Sequence, residues 1–408
     1  MNRPHDYDII IAGGGLVGAS LACALGSEQC RIAVVEPVSF KQADQPSYDD
    51  RGLALSWSTI QILRGLGLWQ PIKDSANPIK HIHVSNQYHF GFVHLHAETV
   101  NVKALGYVVI ARDLGRALLN EIENRNNIDF ICPATVQDIN MQADHAQVSI
   151  SRNNKTEVLN CKLVVVADGS HSKLRDLLGL ETEIHDFNQT AIVSNVTPGL
   201  PHQDTAWERF TTSGPLAVLP LTKNRCAVVF TVNTGETEKY LDCEDKYFLQ
   251  ALQDRFGYRL GRFQHVGARK SYPIKKIELK NPVLNRAIFL GNAAHTLHPN
   301  GAQGFNLGLR DVAGLAELLV PAIRNGEDPG DYLLLDNYLD LREHDQKRVM
   351  CFTNGLASMF YNDLPHKIFA RNTGMLITNI FPPLKKAIMR GAMGLHGKQP
   401  ALVRGVPL

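Results

Sequence analysis

Three stretches that lie far apart in the chain carry residue types able to grip a nucleotide. The first is GGGLVG at Gly13 to Gly18, followed by a carboxylate at Glu36. The second is VVVADGSHSKLR from Val164 to Arg175, and the third is GNAAHTLHPNGAQGFNLGLRD from Gly291 to Asp311. Gly13, Gly15 and Gly18 fill the glycine positions of GxGxxG. In that pattern the first glycine permits a tight turn, the second lets backbone approach a pyrophosphate, and the third lets a helix pack closely on a strand. A helix starting in such a turn offers free N–H groups and its positive dipole end to phosphate oxygens. Glu36 follows about 20 residues on, the spacing at which a carboxylate accepts hydrogen bonds from ribose hydroxyls. Several dinucleotides are held this way, so the first stretch alone sets the ligand class and not the ligand.

These residues work only if regular elements hold them. Tyr7 to Ala12 (YDIIIA) is a short apolar β-rich run, LVGASLACALG after it reads as a helix, and Ile32 to Val35 is a second apolar strand ending at Glu36. Strand, glycine turn, helix and strand in register predict an α/β fold. Another buried-type strand, Leu163 to Val166, breaks at Ala167-Asp168-Gly169, and an Asp-Gly pair after a strand is by itself a turn signal. Arg112 stands in the first turn of an amphipathic helix through Leu114, Leu118, Leu119 and Ile122. Between the motifs the texture changes: HIHVSNQYHFGFVHLHAE alternates with period two, and a second β-rich block runs from Thr190 through Val232. His81, His83, His89, His94 and His96 read as strand histidines, because no carboxylate or Cys completes a metal site beside them.

Composition narrows the class. At 408 residues and 44% hydrophobic the chain can bury a large core in two or three structural units. A formal charge of +2 gives no global reason to expect nucleic acid. Seven cysteines without a CxxC indicate buried free thiols rather than a disulfide framework or zinc site. Asp6 and Asp8 precede the apolar N-terminal run and glycines interrupt it, which argues against a secretory signal. No uncharged apolar run reaches the roughly 18 residues of a membrane span, so a cytoplasmic protein is expected. Residues 341 to 408 differ in holding ten Lys or Arg against three acidic residues, interleaved with Met375, Leu376, Ile377, Ile380, Phe381, Leu384, Ile388, Met389 and Met393. A basic amphipathic segment can lie on the cytoplasmic face of an anionic bilayer or dock partner enzymes, and Pro382-Pro383 forbids one long helix.

Taken together and in this order, the motifs resemble those of the class A flavin-dependent aromatic hydroxylases, the para-hydroxybenzoate hydroxylase family. Asp168, Gly169, Ser172 and Arg175 match the family's DG motif, and Gly291 to Asn306 is similar to its GDxxHxxxPxxGxGxN segment. Two departures stand out, Asn292 where most members have Asp and Ala302 where close relatives often place Gly. The resemblance implies a Rossmann-like FAD-binding domain of three-layer ββα form, assembled from 5–75, 101–180 and 271–325. It further implies an inserted β-sheet substrate domain at 76–100 and 181–270, and a helical, basic amphipathic region at 326–408. It assigns cofactor binding to Gly13, Gly15, Gly18, Glu36, Arg51, Arg112, Asp168, Gly169, Arg175, Gly291, Asn292, Gly301, Gly304 and Asn306. The alternatives are a surface ion pair for Arg112 and a surface helix residue for Arg175. His295 and Pro299 fall at flavin-side catalytic positions. His298 is a second candidate for a proton role, and no protein base is obligatory.

The chemistry implied is that of the cofactor. Non-covalent FAD takes hydride from NADPH or NADH as a transient co-substrate, reacts with O₂ to a C4a-hydroperoxide, and passes the distal oxygen to a phenol ring. DDRGLALS around Arg51, WERFTTSGPLAVLPL from Trp207 to Leu221, FGYRLGR from Phe256 to Arg262 and SYPI from Ser271 to Ile274 are similar to the ubiquinone-biosynthesis branch of the family. That branch implies a polyprenylated phenol as substrate, with 2-polyprenyl-6-methoxyphenol favoured. Rival readings are another ring hydroxylation of the same pathway, a flavin-dependent isoprenoid reductase, and a non-catalytic flavoprotein of a biosynthetic complex. A flavin halogenase lacks its WxWxIP signature here.

Overall fold

The computed structural model describes residues 5–39, 49–360, 365–397 and 399–408. Its centre is a parallel sheet in which Tyr7–Ala12 lies between Ile32–Val35 and the end of Lys155–Val166. Ile128–Ile131 and Ala287–Phe289 continue it on either side. Alternation along these strands sorts the side chains into two cores. Ile9, Ile11, Ile32, Val34, Leu163 and Val165 face helices Leu16–Leu25, Ala111–Glu123 and Gln303–Arg324, whereas Ile10, Ala12, Ala33, Val35, Val164 and Val166 face an antiparallel meander. The meander is made of Thr135–Met141, Ala146–Arg152 and the start of Lys155–Val166. Strands covered on both faces are apolar at every position, which explains the uninterrupted IIIA run of Ile9 to Ala12 and the VVV run of Val164 to Val166. The result is the expected three-layer ββα domain.

A second sheet, nine-stranded among the described residues, stands beside it. Thr182–Pro198, Thr205–Thr211, Gly214–Leu221 and Arg225–Asn233 form its middle, and the His81–Asn86 and Phe92–His96 hairpin forms one end. Its outer face carries Ile192, Trp207, Leu216, Val218, Val228 and Phe230, which pack on helix Asp245–Phe256. The sheet reaches past the expected boundary at 270. Strand Lys270–Leu279, grouped by sequence with 271–325, pairs along Thr182 to Val193 instead. In the other direction Asn77–Ile79, expected in the inserted domain, joins Gly52–Ser56 and Gly106–Ile110 in a three-stranded sheet. Both shifts arise because hydrophobic alternation marks a strand without naming the sheet it joins.

The C-terminal region forms helices Tyr332–Phe360, Pro365–Ile380 and Pro382–Ala392. The break falls at Phe381, with prolines in the first turn of the last helix. Helix Pro365–Ile380 covers the edge strand Phe92–His96: Asn372 Oδ1 accepts from the Gly91 N–H at 3.2 Å and Asn379 Oδ1 from the His94 N–H at 3.2 Å. Met375, Met389 and Met393 close over Val93, Leu95 and Leu105. The histidines pair across the hairpin, His81 with His96 and His83 with His94. Of the cysteines, Cys23, Cys30, Cys161 and Cys226 are buried, but Cys351 is exposed and Cys132 and Cys243 are half-buried, which corrects the expectation of buried thiols throughout.

Candidate active site

The three glycine-rich stretches meet at the end of the parallel sheet. Gly13 has φ +110°, and a Cβ there would stand 2.4 Å from the Ala167 carbonyl oxygen, so only glycine lets the first motif close on the second. A Cβ on Gly18 would stand 2.0 Å from the Gly13 oxygen, the close helix-on-turn packing the motif predicts. The third stretch is seated on the first helix, where Val17 touches the positions a Cβ would take on Gly291 and Gly308. Gly15 precedes helix Leu16–Leu25, whose N-terminus has no side-chain cap and no acidic residue in its first turn. Those N–H groups stay available to an anion.

Polar groups surround this junction. Glu36 is buried and accepts from the Gly14 N–H at 2.8 Å and the Val38 N–H at 3.0 Å; burial raises its pKa, opposed by these two bonds. Asp168 carries its Oδ1 buried without a hydrogen-bond partner among the described residues, and burial raises its pKa too. Gly169 beside it has φ +88° and nothing in front of its absent Cβ. An orphaned buried oxygen, an open glycine and an uncapped helix start fit a dinucleotide, and Glu36, Asp168 and Gly13 to Gly18 are the residues placed to hold it.

Other expected residues turn out to be structural neighbours of the site. Arg175 is buried rather than a surface helix residue, and it donates to the Ala293 carbonyl at 3.2 Å and the Ser170 carbonyl at 3.1 Å. It therefore ties the DG turn to the third motif. Asn306 Oδ1 accepts from the Ser56 N–H at 2.8 Å and the Thr59 hydroxyl at 2.7 Å, while its amide donates to Ala54 and Ala302 carbonyls. Its side chain is used up in clamping strand Gly52–Ser56 to helix Gln303–Arg324. Arg51 donates to Asp49 at 2.7 Å and stacks on Tyr272, and Arg112 pairs with Asp50 at the surface. Asn292 is exposed.

The third motif turns into its helix through Gly301 at φ +66° and Ala302 at φ +51°, both left-handed. Gly304 stands in the first turn with no neighbour where a Cβ would be. His295 is buried and pinned to Asp311, Nε2 to Oδ2 at 2.5 Å. Asp311 also accepts from Arg342 at 2.9 Å and Gln346 at 2.9 Å. Burial pushes the Asp311 carboxyl up, yet His295 and Arg342 hold it well below the usual range.

Two cavities border this segment. One of about 90 Å³ is lined by Leu55, Ile82, Leu95, Gly301, Met389 and Met393, among others. The other, of about 20 Å³, lies behind Pro299 against Phe187, Phe210, Pro215, His298 and Asn300. His298 sits there with burial pushing it down to about 4. Asn300 is buried, and neither end of its amide has a hydrogen-bond partner among the described residues. Sequence reading missed Asn300, though a polar residue between Pro299 and Gly301 was a visible signal. It also missed Glu208, an acid inside the alternating strand AWERF.

A profile of the family described as "FAD binding domain" matches residues 6–353. The chain is 34% identical over 404 residues to "Ubiquinone hydroxylase UbiL" of Rhodospirillum rubrum, covering 98% of this chain and 93% of that protein. It is 28% identical over 398 residues to "3-demethoxyubiquinol 3-hydroxylase" of Escherichia coli, covering 97% and 100%. Among solved structures, p-nitrophenol 4-monooxygenase PnpA from Pseudomonas putida shares the fold with a TM-score of 0.81 at 19% identity, over 96% of this chain and 98% of that one. The profile spans most of the chain and the glycine cradle it maps onto is intact, so the protein belongs to the FAD-binding family of flavin-dependent aromatic hydroxylases.

Proposed function

We propose that the protein uses FAD, NADPH or NADH, and O₂ to hydroxylate the aromatic ring of a polyprenylated phenol in ubiquinone biosynthesis, with 2-polyprenyl-6-methoxyphenol as substrate. The observation that carries the substrate class is the 90 Å³ cavity between the third motif and the last helix. Ile79, Ile82, Leu95, Leu105, Met389 and Met393 make it apolar on most sides. Relatives named as ubiquinone hydroxylases agree with this reading.

Bound FAD supplies the electron transfer and oxygen activation; the chain's own residues bind, orient and exclude water. Gly13, Gly15, Gly18, Glu36, Asp168 and Gly169 hold the dinucleotide, with Arg51 and Arg112 at its ribityl and phosphate side. Gly301 and Gly304, with Gly291, would bring the helix start to the flavin ring, Asn292 would bond a ribityl hydroxyl, and His295 and Pro299 would fix the backbone on the flavin side. Beyond the cavity, Phe369, Ile380 and Phe381 are exposed on the C-terminal helices, and Lys385, Lys386 and Arg390 follow them. This surface meets the bilayer or a partner enzyme that delivers the substrate. No described helix is long and apolar enough to cross a membrane.

The test is NAD(P)H oxidation by the purified yellow protein with prenylated 6-methoxyphenols, with demethoxyubiquinol analogues, and with small benzoates. Stimulation by the first set and formation of a catechol are expected. Preference for charged benzoates would defeat the substrate assignment, and preference for demethoxyubiquinol would move it to another ring position.

A further inference from the structure

The large sheet turns toward the flavin motifs a row of residues that its own partners leave half covered. By strand register Val84, Glu208, Ala217, Val229 and Val193 stand side by side on one face. Each is partly exposed, whereas Trp207, Leu216, Val218 and Val228 on the outer face are buried. Four of the five are apolar and Glu208 is the single acid. Two residues along the strand in one direction, paired Phe210 and Pro215 line the cavity of His298 and Asn300. Two residues in the other direction, Ala206 pairs with Ile82, which lines the larger cavity under Gly301. Glu208 thus stands on its strand between residues whose side chains or pairing partners border the two cavities. It makes no hydrogen bond or ion pair with any described residue; only burial acts on its carboxyl, pushing it up to about 7.

We propose that Glu208 is the general base that takes the phenolic proton of the substrate. This rests on the ring-hydroxylation reading above. The phenol O–H bond breaks, its proton passes to a Glu208 carboxylate oxygen, and the electron pair stays on the phenol oxygen, enriching the ortho and para ring carbons. Phenol, O₂, NAD(P)H and a proton give catechol, NAD(P)⁺ and water, and Glu208 returns its proton to solvent after product leaves. A base works best when its pKa is near the working pH. Glu208 meets that condition for a phenol of pKa about 10. His298, pushed down to about 4, is a weaker acceptor, and His295 is pinned to Asp311.

The experiment uses the FAD-loaded enzyme, its Glu208→Gln variant, and 6-methoxyphenol bearing a two-unit prenyl tail. With saturating substrate, the rate of ring hydroxylation by the wild type should rise with pH through a limb set by the Glu208 carboxyl, a limb that the variant lacks. Ring hydroxylation should fall on the order of 100-fold, while flavin reduction stays within about threefold. A ring-fluorinated, more acidic phenol should restore much of the loss. The variant should also be more thermostable than wild type at pH 8 and equal to it at pH 4. A carboxyl raised in the folded state gives up stability as pH rises from its ordinary value through about 7. A variant that keeps the wild-type pH limb and its turnover overturns the proposal, as does one that loses flavin or melts early at pH 8. Should the wild type itself oxidise no prenylated phenol, the ring-hydroxylation reading fails first.

Discussion

Single residues decide whether the dinucleotide can be held at all. Gly13 combines φ +110° with a carbonyl 2.4 Å from where a Cβ would be, so neither the conformation nor the space admits a side chain. Gly13→Ala should cost more than about 1 kcal/mol and release FAD, read as lower melting temperature and loss of the yellow chromophore on purification. Ala302 is the opposite case, an alanine at φ +51° in the turn before the flavin helix. A left-handed alanine costs roughly 1–2 kcal/mol, and Ala302→Gly should recover about 1 kcal/mol of it without loss of flavin, measurable by urea melts of the holoenzyme. Asp168, with its orphaned buried oxygen, is proposed to serve the nicotinamide as well as the flavin. Asp168→Ala should slow flavin reduction by NAD(P)H more than it slows reoxidation of chemically reduced enzyme. Equal slowing in stopped-flow traces would count against that division.

At the scale of elements, the flavin helix is locked to the helix after it by buried charge. His295, Asp311, Arg342, Asp345 and Arg310 form a chain across Gln303–Arg324 and Tyr332–Phe360, with Arg310 donating to Asp345 at 2.8 Å and Arg342 at 2.7 Å. Removing one member leaves its partners buried and unpaired, so Asp311→Asn should cost about 3–5 kcal/mol. Because the Asp311 carboxyl is held below its ordinary value of 3.8, its contribution is present above that pH and is lost as pH falls below it. Wild type should therefore lose stability below about pH 4 more steeply than the variant does, as seen in acid titration of the melting temperature. The sequence could not show this lock, since Asp311 and Arg342 lie in separate helices and nothing in periodicity pairs them. What it did show follows one physical logic. Apolar strands and glycine turns are local patterns, and Tyr7–Ala12, Leu16–Leu25 and the strand at Leu163 to Val166, the end of Lys155–Val166, came out where those patterns put them. Sheet membership is not local, and nothing in the sequence of Lys270–Leu279 tells that it pairs along Thr182 to Val193. Arg175 and Asn306 were legible as important residues; that their side chains bind protein instead of open site required the packing.

For the whole molecule, the C-terminal helices complete a wall that the flavin domain and large sheet leave open. Met389 and Met393 close the larger cavity, and Phe369 and Ile380 on the neighbouring helix are 70% and 68% exposed. A tail that fills the cavity and then runs along this surface gains about 0.8 kcal/mol for each buried CH₂. Affinity should rise steeply over the first one or two prenyl units and then level off, a curve obtainable by titrating flavin fluorescence with phenols of increasing tail length. The central claim, that this chain places an oxygen atom from O₂ on a prenylated aromatic ring, is tested most directly by isotope. Purified holoenzyme is supplied with NAD(P)H, ¹⁸O₂ and a short-tailed 2-prenyl-6-methoxyphenol, and the product is read by mass spectrometry. One ¹⁸O per ring in the product, with none acquired from H₂¹⁸O in the converse experiment, is the predicted result; NAD(P)H consumption yielding only hydrogen peroxide, or a tail reduced without oxygen uptake, would contradict it.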